Sequence, residues 1–89
     1  MQPRLSRVTD DLDPVSPVPR YLQVAAIIRA RIESGELQPG QPIPSQNTLM
    51  QRYGVARMTA HKALGVLVDE GLVVVVPGVG ALVARRRPR

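Results

Sequence analysis

Five side chains within six residues, Arg57, Met58, Thr59, His61 and Lys62, could do chemistry together. Two are cationic, one is an imidazole, one a hydroxyl and one a soft apolar group. None is an acid. Arginine and lysine neutralise phosphates, while hydroxyl, imidazole and amide groups bond to base edges or the backbone of a duplex. On a helix, 57, 58, 61, 62 and 65 share one face, and Ala60, Ala63, Leu64 and Leu67 recur at helical spacing on the other. An arginine in the first turn opposes the helix dipole, which argues for an anion outside the chain.

That helix needs something to hold it. The stretch from Pro44 to Gly71 reads as a short helix, a tight turn and a longer helix. Ser45 suits an N-cap, accepting from a free backbone N–H of the first turn. Leu49, Met50 and Tyr53 make the short helix's apolar stripe, Gly54 ends it, and Val55 plugs the turn. This is the helix-turn-helix plan, whose second helix enters a DNA major groove.

Around this unit the chain reads in order. Residues 1–18 hold Pro3, Pro14 and Pro17 with alternating charges and no periodicity, so a disordered arm is expected. Pro19 opens a helix whose stripe is Tyr21, Val24, Ala25, Ile28 and Ile32, with Leu22 and Ile27 at its edges and Gly35 at its end. Residues 36–44 form a proline-rich connection in which Ile43 packs inward on a short strand. After Gly71, Leu72 to Val76 are a strand, Pro77 to Gly80 a turn and Ala81 to Val83 a return strand. A hairpin straight after a helix-turn-helix is a wing.

Composition narrows the class. With 89 residues, no Phe, Trp or Cys and one His, the chain is one small domain with an aliphatic core and no disulfide. No apolar run approaches the roughly 20 residues of a membrane span, and no signal-peptide core is visible, so a cytoplasmic protein is expected. The formal charge is +5. Residues 19–84 contribute +2, and Arg85, Arg86, Arg87 and Arg89 add +4 just past the wing. Such an asymmetry favours a polyanion partner. An enzyme is not expected, since there is no nucleophile–base pair and no phosphate-cradling loop. Asp69-Glu70 reads as surface, and no cofactor or metal is expected. Gly65 costs a helix about 1 kcal/mol against alanine, so it reads as permitting a close approach, to another helix before DNA.

From Pro19 to Val83 the sequence resembles the DNA-binding domain of the GntR (gluconate repressor) family of bacterial transcription factors. The resemblance rests on Tyr21-Leu22-Gln23-Val24, Gly35, Leu37, Pro39-Gly40, Ile43-Pro44-Ser45, Gly54-Val55, Arg57, Thr59, Ala63-Leu64, Leu67, Glu70-Gly71-Leu72 and Gly78-Val79-Gly80 with Val83. It implies an α+β, mainly α, winged helix-turn-helix with three helices and a small antiparallel wing over 19–84, flanked by the 1–18 arm and the 85–89 tail. It also implies a sequence-specific double-stranded DNA binder that regulates transcription as a repressor. Family positions carried over as DNA contacts are Arg57 and Thr59 on the recognition helix and Gly78 and Gly80 at the wing tip. Asn47 and His61 stand where the family usually has arginines, and Val75, Val76 and Pro77 replace a more polar wing.

The full expected DNA-binding set is Ser45, Asn47, Arg57, Met58, Thr59, His61, Lys62, Gly78, Gly80, Arg85, Arg86 and Arg87. The family normally adds a C-terminal effector and dimerisation domain beyond the wing, so this is either a free-standing DNA-binding domain or a fragment. The expected partner is a short palindromic operator, bound by a weak homodimer that pairs through exposed wing valines or through Leu22 or Ile27. A protein partner is a further possibility. An architectural or recombination accessory factor and a winged-helix protein-interaction module are the alternatives.

Overall fold

The structure is a computed structural model and describes residues 12–85. Three helices are followed by one hairpin: α1 (Arg20–Glu33), α2 (Gln46–Tyr53), α3 (Arg57–Asp69), β1 (Val73–Val76) and β2 (Gly80–Val83).

Each boundary has a local cause. Pro19 is the N-cap of α1, and its carbonyl accepts from the N–H groups of Leu22 and Gln23. Ser45 caps α2, its hydroxyl oxygen accepting from the Thr48 N–H at 3.1 Å. Gly54 ends α2 in the left-handed conformation at φ 65°, where a side chain would be strained, and donates its N–H to Met50. The three residues Gly54, Val55 and Ala56 turn the chain into α3, with Val55 buried beneath them.

α3 is the centre of the packing, touching α1, α2 and β1. Its inner face supplies Ala60, Ala63 and Leu67. They meet Val24, Ala25 and Ile28 of α1, Leu49 of α2, Ile43 and Val55 of the connections, and Val73 and Val83 of the hairpin. The small Ala60 and Ala63 let the other helices approach closely. No polar or charged side chain is buried among the described residues. Tyr21 and Tyr53 pack against this cluster, half-buried.

The hairpin pairs Val73 with Val83, Val74 with Leu82, Val75 with Ala81 and Val76 with Gly80. The connection between α1 and α2 is bonded to it from the other side. Gly40 N–H donates to Val83 at 2.8 Å, Val83 N–H to Gln41 at 2.8 Å, and Ile43 N–H to Ala81 at 3.0 Å. β2 therefore lies between β1 and residues 40–43, and Ile43 is carried into the core by this pairing.

Four sequence expectations change. Residues 12–18 of the expected disordered arm fold onto α1: the Asp13 N–H donates to the Gln23 amide oxygen at 2.7 Å, and the Gln23 amide nitrogen donates to the carbonyls of Val18 and Asp13. Leu12 packs on the core. The rest of that arm, residues 1–11, lies outside the described residues. Ile27 is buried, which removes it as an association patch, and Leu22 is half-buried. The exposed strand valines are Val74, at 44%, and Val75, at 65%, on opposite faces of the strand. Finally, a Cβ added to Gly65 would meet nothing within 4 Å, so no helix approaches it.

Candidate nucleic-acid interface

The outward face of α3 begins at its first residue. Ala56 is its N-cap and offers no side-chain bond, and no acidic residue occupies its first turn. The leading N–H groups of α3 thus lack a side-chain cap, and the helix dipole gives that end positive potential. Arg57 stands there, exposed, without a side-chain hydrogen bond or ion pair among the described residues. Met58 is 62% exposed, His61 and Lys62 are exposed, and Thr59 is half-buried.

The start of α2 lies beside this face. Asn47 is exposed. The Ser45 hydroxyl accepts from Thr48 N–H and donates to the Thr48 hydroxyl oxygen at 3.0 Å, so its proton and one of its two lone pairs are used within the cap. Gln46, absent from the sequence-derived set, reaches across the turn: its amide nitrogen lies 3.0 Å from Nδ1 of His61. The two residues are fifteen apart in sequence and join α2 to α3 on the exposed side.

Between α3 and the wing runs an open groove of about 420 Å³, lined on the helix side by His61, Leu64, Gly65, Val68 and Asp69, on the wing side by Val75, Gly80 and Ala81, and by Gln46 of α2. A second hollow continues it past Ser45 and Val79. The helix-turn-helix and the base of the wing loop therefore share one surface, to which Ser45, His61 and Gly80 contribute. Gly78, at φ 82°, and Gly80, at φ 122°, shape the loop between the strands, where positive φ suits glycine alone.

The remaining cations are placed differently. The Lys62 ammonium lies 5.5 Å from the centre of the Tyr21 ring, a cation–π contact that steers it towards α1. Arg85 lies over the Gly40 turn, its guanidinium 3.6 Å from where a Cβ on Gly40 would stand. Arg86 and Arg87, like Arg89, lie outside the described residues. Arg29 forms a two-bonded pair with Glu70, at 2.9 and 2.8 Å, tying α1 to the end of α3. The hydrogen bond to Glu70 holds the Arg29 guanidinium above its ordinary value, and the bond from Arg29 holds the Glu70 carboxyl below its own. Glu70 is therefore more than the plain surface acid expected from sequence, and its pairing partner lies 41 residues away, beyond any local signal.

Among the described residues no helix is long and apolar enough to cross a membrane. No group of three or more His, Asp or Glu side chains there could hold a metal ion.

Comparison with known proteins gives one consistent result. Residues 20–83 match the model for bacterial regulatory proteins of the gntR family. The chain is 40% identical over 70 residues to the HTH-type transcriptional repressor NagR of Bacillus subtilis, covering 79% of this chain and 29% of that protein. It is 44% identical over 69 residues to the histidine utilization repressor of Klebsiella aerogenes, covering 78% of this chain and again 29% of the relative. The chain thus spans about three-tenths of the length of these relatives. Among solved structures, the DNA-binding domain of AraR in complex with operator ORX1 superposes with a TM-score of 0.74 at 44% identity, over 82% of this chain and 90% of that one. On its winged helix-turn-helix and its match over 64 residues, the chain belongs to the gntR family of bacterial regulatory proteins.

Proposed function

We propose that this chain binds double-stranded DNA in a sequence-specific way and serves as the operator-reading part of a transcriptional repressor. The observation that carries the reading is the outward face of α3. Arg57, Met58, His61 and Lys62 are exposed there, over the first two turns of a helix that starts without a side-chain cap and buries Ala60, Ala63 and Leu67 on its other side. The likeness to a domain solved in complex with its operator supports DNA binding, and a helix-turn-helix sets its second helix, here α3, in the major groove.

In this reading Arg57 meets a base edge or phosphate, and Thr59 and His61 contact the major-groove side. Asn47, Lys62 and the arginines after Ala84 meet the backbone, and Gly78 and Gly80 let the wing loop approach it. The operator is a short palindrome occupied by two copies that associate weakly, through the wing strand at Val74 or through an acidic or apolar protein partner. The working compartment is the cytoplasm, at the nucleoid.

Selection from a random DNA pool tests this directly. One short palindrome should be enriched, and Arg57→Ala should weaken binding to it by about 1–3 kcal/mol if the arginine reads a base. No enrichment by the wild-type chain would refute the function. Unchanged binding by the variant would refute the role of Arg57.

A further inference from the structure

The contact between Gln46 and His61 does more than join two helices. We propose that Gln46 is a positioning residue that fixes the tautomer of His61, so that the imidazole presents an N–H donor, from Nε2, to whatever lies in the recognition groove. This rests on the DNA-binding reading only for the identity of what is read.

A neutral imidazole has one donor nitrogen and one acceptor nitrogen, and the partner of one decides the state of the other. The Gln46 amide nitrogen lies 3.0 Å from Nδ1. An amide nitrogen only donates, so in this orientation of the amide Nδ1 accepts and the proton resides on Nε2. The orientation of the amide has a physical reason. Gln46 is the first residue of α2, at the positive end of that helix, which favours the amide oxygen turned towards the helix and the amino group turned away. Nε2 itself makes no hydrogen bond among the described residues; the groove it shares is lined by Leu64, Gly65, Val68 and Val75 and by the Asp69 carboxylate, which makes no hydrogen bond to the ring.

The consequence for recognition is directional. In the major groove guanine offers two adjacent acceptors, O6 and N7, and cytosine offers only a donor. A fixed Nε2–H favours guanine and disfavours cytosine at the base it faces. An untethered imidazole can switch tautomer and accept from cytosine instead. His61 thus keeps a reading function that differs from an arginine's two-pronged one, and Gln46 sets its sense.

His61 is the sole histidine, so the full 89-residue chain labelled with nitrogen-15 gives a single imidazole spectrum. At about pH 8.5, above the usual imidazole range, the free wild-type protein should show a protonated Nε2 and a bare Nδ1. Gln46→Leu should give a mixture of tautomers, and Gln46→Glu, whose carboxylate can only accept, should place a proton on Nδ1. A wild-type spectrum dominated by protonated Nδ1, or one unmoved by Gln46→Leu, overturns the proposal. On the selected operator and its single-base variants, guanine should be preferred over cytosine at one position by on the order of tenfold. Gln46→Leu should erase most of that ratio, and should add nothing in a His61→Ala background. Equal weakening on every variant would make Gln46 a structural brace and overturn the positioning role. If the wild-type chain selects no DNA at all, the proposed function fails, and the free-protein spectra still decide the tautomer.

Discussion

Replacing Gly65 by alanine separates the needs of the fold from those of the groove. Gly65 sits in the interior of α3, four residues from its end, and its backbone is helical. A methyl group there meets nothing within 4 Å, so no packing penalty opposes the change. The gain has two related sources. Alanine is the better helix former by about 0.8–1.0 kcal/mol, and it lowers the entropy of the unfolded chain. For a domain of this size, about 1 kcal/mol raises the melting temperature by roughly 4–8 °C. Thermal unfolding followed by circular dichroism would measure it. A lower melting temperature would refute the reasoning, because it would mean that the position is crowded in solution. Binding to the selected operator is the second readout. Gly65 lines the groove on the same face as Arg57 and His61, and nothing within the described chain needs its lack of a side chain. Its use is therefore an approach from outside, and Gly65→Ala should bind DNA several-fold more weakly while being more stable. Unchanged affinity would show that DNA never comes close to this turn of the helix.

Three further outcomes follow from other parts of the molecule. Because Arg29 lowers the Glu70 carboxyl below its ordinary 4.5, the pair stabilises the fold above that value and loses its contribution as pH falls through the lowered one; Glu70→Gln should be less stable near neutrality and converge with the wild type in acid, and parallel acid profiles would refute the pairing. Ser45→Ala should cost about 1 kcal/mol of stability through the lost cap, while leaving the salt dependence of DNA binding unaltered; a changed salt slope would give the hydroxyl a phosphate. Deleting residues 85–89 should reduce the slope of log K against log salt by up to about 3.6 if all four arginines meet phosphates, with sequence preference kept, and an unchanged slope would make the tail a bystander.

What could be read from sequence was whatever has a local cause. Ser45, Gly54 and Gly71 mark helix ends because a cap hydroxyl or a positive φ acts within a few residues. The alternation of Ala60, Ala63, Leu64 and Leu67 against Arg57, Met58, His61 and Lys62 fixes which face of α3 is buried. The apolar run from Leu72 to Val76 and the turn at Pro77 to Gly80 mark the wing in the same local way, and the resemblance adds Gly78 and Gly80 as expected DNA contacts. Contacts across the chain left no such trace. Gln46 has no local signal for a partner fifteen residues on, and Arg29 and Glu70 are ordinary surface residues until α1 crosses the end of α3. Residues 12–18 read as disordered because Pro14 and Pro17 break periodicity, but prolines also favour a fixed turn, and Gln23 supplies three hydrogen bonds that hold one. The helix cost of Gly65 points to a close neighbour, but propensity cannot say whether that neighbour belongs to the chain, and geometry leaves open space there. Ile27 lay at the edge of a stripe, and an edge position cannot be assigned to either side by periodicity.

The seating of the wing has a thermodynamic consequence. A two-stranded hairpin alone is marginal in water. Here β2 is held on both sides, by β1 and by the backbone of residues 40–43, and Val73 and Val83 anchor both strands in the core. The hairpin is therefore held in one orientation relative to α3 in the chain on its own. Ordering a loose wing on binding would add an entropic cost at the moment of association, and a preformed one avoids it. The heat capacity change on complex formation should then be close to that of rigid docking, without the additional negative component that coupled folding of the hairpin brings.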